Sequence, residues 1–72
     1  MNKYLIPICD LVNAEIWIEV ISARSISNCQ DKLMRQFSEN LDEDFSDYHE
    51  FIKIMDEKYN YSVGSITDIE TL

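Results

Sequence analysis

Residues 39–50 hold six carboxylates, Glu39, Asp42, Glu43, Asp44, Asp47 and Glu50, and no Lys or Arg. Oxygen-rich clusters of this kind can hold a hard cation, work as an acid–base pair, or face a basic partner. A calcium loop of the EF-hand type needs Gly at its sixth position and Glu at its twelfth. Counted from Asp42, those positions are Asp47 and Lys53, so the pattern fails. One His and two separated Cys give no ligand spacing for zinc. No metal and no cofactor is expected. His49, the single histidine, falls on the flank of a predicted helix near Asp56, with no nucleophile beside it. Cys29 falls one turn into another predicted helix, where the helix dipole can lower a thiol pKa, but its place on an apolar stripe predicts burial. There is no Gly-rich phosphate loop and no nucleophile elbow. With fourteen acids in the chain, a carboxylate pair can be picked at will and specifies nothing. The expected role is therefore non-enzymatic.

The third chemistry, charge facing a partner, fits better. Residues 1–37 carry four acids and four bases, whereas residues 38–72 carry ten acids and only Lys53 and Lys58, so the whole net charge of −8 sits in the second half. Such a charge keeps a small protein soluble, yet crowding it into one half costs stability through self-repulsion. Acids one helical turn apart lie about 6 Å apart along the axis, similar to neighbouring phosphates of a nucleic-acid strand. Glu39, Asp42, Glu43, Asp44, Asp47, Glu50 and Glu57 could thus occupy a Lys/Arg groove that normally holds DNA or RNA, with Phe45 adding apolar contact. Lys53 interrupts the series. Direct binding to nucleic acid or to an anionic membrane is disfavoured by the same charge. In size, acidity and lack of catalytic motifs, the chain resembles small phage and mobile-element inhibitors such as anti-CRISPR proteins and other DNA mimics. That resemblance implies an inhibitor that competes with nucleic acid for a basic protein surface.

These residues must be positioned by one small domain, since 72 residues make no more than that. Residues 4–9 read as a strand, with Pro7 suggesting a sheet edge on at least one side. Residues 10–14 read as a hairpin turn. Residues 15–22 form the clearest strand: Ile16, Ile18 and Val20 on one face are expected in the core. Glu15, Trp17, Glu19 and Ile21 are expected on the other face, with Glu15 and Glu19 in water. Ile26, Cys29, Leu33 and Phe37 make a helical stripe over residues 26–38, capped by Ser25 or Ser27. Tyr48, Phe51, Ile52, Met55 and Tyr59 make a second, capped by Asp44 or Ser46 and ended by Asn60. Residues 61–70 read as a last strand with a bulge at Gly64. The β-β-α-α-β order predicts a small two-layer α+β domain, a three-stranded sheet with two antiparallel helices on one face. Trp17 would then sit on the uncovered face. This offers an alternative function, a self-associating structural or regulatory subunit that pairs through the Trp17 face or through an edge strand beginning at Tyr4. Cys9 and Cys29 are expected to be reduced and buried. The short apolar start, broken by Pro7 and closed by Asp10, lacks the length of a secretory signal. No stretch reaches the ~18 apolar residues of a membrane span, so a cytoplasmic, complete chain is expected.

Overall fold

The computed structural model describes residues 1–69. Two nine-residue strands, β1 (Asn2–Asp10) and β2 (Glu15–Ala23), form an antiparallel hairpin. Helices α1 (Ile26–Leu41) and α2 (Tyr48–Tyr59) follow, and then two short strands, β3 (Tyr61–Val63) and β4 (Thr67–Asp68). The fold is α+β, as expected, an antiparallel sheet with two helices packed on one face.

Local chemistry accounts for the helices. The Ser25 hydroxyl accepts from the Asn28 N–H at 3.1 Å, and the Asn28 side chain accepts in return from the Arg24 N–H at 3.1 Å. The N-cap of α2 is Asp47, not Asp44 or Ser46, and its carboxylate accepts from the Glu50 N–H at 2.8 Å. An Asp cap satisfies an otherwise orphaned amide. Asp42 and Asn60 close the helices in the left-handed region, with φ of 53° and 58°. Asx residues tolerate that conformation better than most. Cys29, Leu33 and Phe37 of α1 and Phe51 and Met55 of α2 meet Tyr4, Ile6, Ile8, Ile21 and Ala23 of the sheet in one core. Phe51 is its centre, with the rings of Phe45, Tyr48 and Phe37 at 5.0, 5.4 and 5.8 Å.

Three expectations about the sheet are overturned. First, β2 is inverted. Ile16, Ile18 and Val20 are 75%, 57% and 58% exposed on the open face, while Trp17 and Ile21 face the helices. Register decides this. Ile8 pairs with Trp17 and Tyr4 with Ile21, and paired residues share a face. With Tyr4, Ile6 and Ile8 of β1 in the core, the odd-numbered residues of β2 must follow them. Glu15 stays exposed, but Glu19 is half-buried and accepts hydrogen bonds from Trp17 Nε1 and Gln36 Nε2, each at 3.2 Å.

Second, β1 is central rather than at an edge. The order is β2-β1-β3, with β4 also on β1. Pro7 is tolerated there because its side of the ladder faces a gap between β3 and β4. The Pro7 carbonyl accepts from the Gly64 N–H at 2.7 Å, and a Cβ at Gly64 would stand 2.5 Å from Pro7 Cγ. The one proline thus meets the one glycine, and the last strand divides in two around them. Third, Cys9 lies on the open face and is half-buried, whereas Cys29 is fully buried as expected. Among the described residues, no helix is long and apolar enough to cross a membrane.

Candidate functional site

The acidic segment begins where α1 ends. Asp42 turns the chain into the left-handed region, and the Glu43 N–H reaches back to the Ser38 carbonyl at 3.2 Å. The Ser38 hydroxyl donates to the Glu43 carbonyl. Phe45 then folds its ring edge-on against Phe51, at 84° between planes, so it seals the core beneath the connection. These anchors fix the loop and leave its carboxylates on the helix side of the molecule.

The carboxylates are not equivalent. Glu43 forms an ion pair with Lys58. Lys58 donates a hydrogen bond to Glu43, which holds that carboxyl below its ordinary range and raises the Lys58 ammonium. Burial, reinforced by a hydrogen bond with Glu43, raises the Tyr59 hydroxyl. Asp47 is occupied as a cap, and Glu50 accepts from the Ser46 hydroxyl. One carboxylate of the acidic segment, Glu43, is therefore neutralised by a lysine of the chain itself. The remaining residues, Glu39, Asp42, Asp44 and Glu57, are exposed, and the ion pair among the described residues involves none of them. A shallow groove along α2 brings Asp47, His49, Glu50 and Glu57 together around Lys53.

Trp17, expected on the open face, is half-buried on the helix side and packs edge-to-face on Tyr61 at 5.8 Å. Its indole is spent inside the fold. The position that sequence reasoning gave to Trp17 is held by Ile16, Ile18 and Val20. The other alternation, Glu15, Trp17, Glu19 and Ile21, carries two carboxylates that point it to water, but Trp17 and Ile21 on the same face are the signal that it could turn inward.

Burial pushes the Cys29 thiol up, the opposite of nucleophile activation. Among the described residues, no three His, Cys, Asp or Glu side chains gather as metal ligands. A second shallow groove lies between α1, α2 and the Gly64 bend, lined by Ile26, Gln30, Tyr48, Ile52 and Ile66. The Tyr48 hydroxyl is buried without a partner among the described residues, and burial raises its pKa. The rest of that lining is mainly apolar, with no charged side chain among the described residues that form it. No family model, curated protein or solved structure matches the chain.

Proposed function

We propose that this is a non-catalytic binding protein. Its helix-side carboxylates would occupy a basic surface of a protein partner that otherwise holds a nucleic-acid strand. The protein would act in the cytoplasm as an inhibitor, in the manner of the small acidic phage proteins it resembles in size and charge. The supporting observation is the exposure of Glu39, Asp42, Asp44 and Glu57 with no ion-pair partner among the described residues, in a chain of net charge −8. Long-range attraction would bring the partner in quickly and make association sensitive to salt.

The test is a triple variant, Asp42→Asn, Asp44→Asn and Glu57→Gln. It removes charge without touching the Asp47 cap or the Glu43–Lys58 pair, and Asn suits the left-handed position at 42. A tagged chain is used to capture a partner from cells. The purified pair is then titrated at low and high salt and in competition with duplex DNA. The expected result is binding that weakens with salt, with the triple variant and with DNA. A partner held equally well under all three conditions refutes the proposal.

A further inference from the structure

The open face of the sheet has a composition unlike the rest of the molecule. Strand alternation and register place Lys3, Leu5, Pro7, Cys9, Ile16, Ile18, Val20, Ser22, Ser62 and Thr67 on it. There is no carboxylate among them, although the chain has fourteen, and Lys3 at one corner is the sole charge. Three cross-strand pairs, Cys9–Ile16, Pro7–Ile18 and Leu5–Val20, make a continuous apolar grid. Ile16, Ile18, Val20 and Pro7 are all exposed there. Exposed apolar grids of this kind mark interaction sites rather than ordinary surface.

We propose that this face is the interface of a homodimer in which two copies pack sheet against sheet about a two-fold axis near Ile18. The charge distribution admits a second copy, because the face residues named above include no carboxylate. Stacked sheets lie about 10 Å apart and a helix layer adds about 10 Å on each side, so the two helix layers stand about 30 Å apart. The Debye length at physiological salt is ~8 Å, so the repulsion between two acidic helix layers is screened. Each copy also offers the other an apolar surface without carboxylates that matches its own, as a two-fold interface requires.

The competing arrangement, edge pairing of β2 with its copy, has its own geometry. Since the Pro7 carbonyl points to Gly64, Ile18 opposite it turns its N–H and C=O outward, as do Ile16 and Val20. That edge is already blunted, because the Lys32 ammonium donates to the Ser22 carbonyl at 2.7 Å. Edge pairing would also set the two α1 helices side by side and leave the apolar grid in water. Sheet packing covers the grid instead. Nine residues of strand across three strands project about 400 Å² per copy, below the ~800 Å² per partner of standard stable complexes. The dimer is therefore weak and dependent on concentration.

The experiment is sedimentation equilibrium of the full chain from low to high micromolar concentration, beside the variant Ile16→Thr, Ile18→Thr, Val20→Thr. Threonine keeps the β-branched strand and removes apolar contact. The expected result is a monomer–dimer equilibrium in the native chain and at least about tenfold weaker association in the variant, with unchanged circular dichroism. A native chain that stays monomeric at high micromolar concentration overturns the proposal. So does a dimer that survives the triple substitution, since main-chain edge pairing would survive it and sheet packing would not. If the triple variant unfolds, Ile16→Thr alone replaces it, because that side chain is 75% exposed. A dimer unmoved by that single change likewise refutes the interface.

Discussion

Ile8 and Ile18 lie in the same hairpin on opposite faces, so truncating each to Ala isolates the face assignment. Ile8 is fully buried, and removing a buried Ile side chain to Ala costs about 2–5 kcal/mol, including the cavity left behind. Ile18 is 57% exposed, so less than half of its burial is at stake. Three carbon groups at ~0.8 kcal/mol each, less than half buried, give about 1 kcal/mol, with a few tenths more for strand preference. A domain of this length has a total stability of about 4–11 kcal/mol, so Ile8→Ala should consume a large share of it and Ile18→Ala should not. The assay is urea unfolding followed by far-ultraviolet circular dichroism and Trp17 emission. Low micromolar protein keeps self-association from adding to stability. In thermal melts, each kcal/mol appears as a shift of about 4–8 °C. The sequence alone predicted the opposite facing for Ile18. If Ile18→Ala costs as much as Ile8→Ala, the register argument is wrong.

Three further outcomes follow from particular contacts. Asp47→Ala should lose about 1 kcal/mol through the α2 cap, while Asp44→Ala, exposed in the loop, should cost almost nothing in the same melt. Gly64→Ala should cost about 1–3 kcal/mol because its Cβ would meet Pro7 Cγ at 2.5 Å. The double variant with Pro7→Ala should recover part of that loss, and a purely additive double variant would refute the close approach. Asp10 accepts from the Asn13 side chain at 2.8 Å and from the Val12 and Asn13 N–H groups, which holds its carboxyl below the ordinary 3.8. A lowered folded pKa means that its contribution to stability is complete above 3.8 and is lost as pH falls through the folded value. Acid unfolding curves of Asp10→Asn should be flatter in that range than those of the native chain, and an unchanged slope would count against the turn's role.

Much of the helical layer was legible in the residues. The steps from Cys29 to Leu33 to Phe37 and from Phe51 to Met55 each mark one face of a helix, and those positions are the buried ones. Ser25 and Asn60 at the ends are local signals, because a cap is satisfied within its own turn. The acidic half could likewise be counted from the chain. Whether its charge is compensated could not, because Glu43 and Lys58 are fifteen residues apart and meet only when α2 packs back on the connection. Local pattern pointed the facing of β2 the wrong way. Ile16, Ile18 and Val20 alternate with Glu15, Trp17, Glu19 and Ile21, so a period of two identifies the strand while its two carboxylates suggest the wrong wet side. The pairing with β1 decided the facing, by tying Trp17 to Ile8 and Ile21 to Tyr4. Pro7 suggested an edge, yet it stands in the central strand because Gly64 supplies a neighbour without a side chain. Period, caps and net charge are properties of short stretches and were fixed by the residues themselves. Strand order, the exposed apolar grid and the neutralisation of Glu43 depend on partners distant in the chain, and only the packed structure decided them.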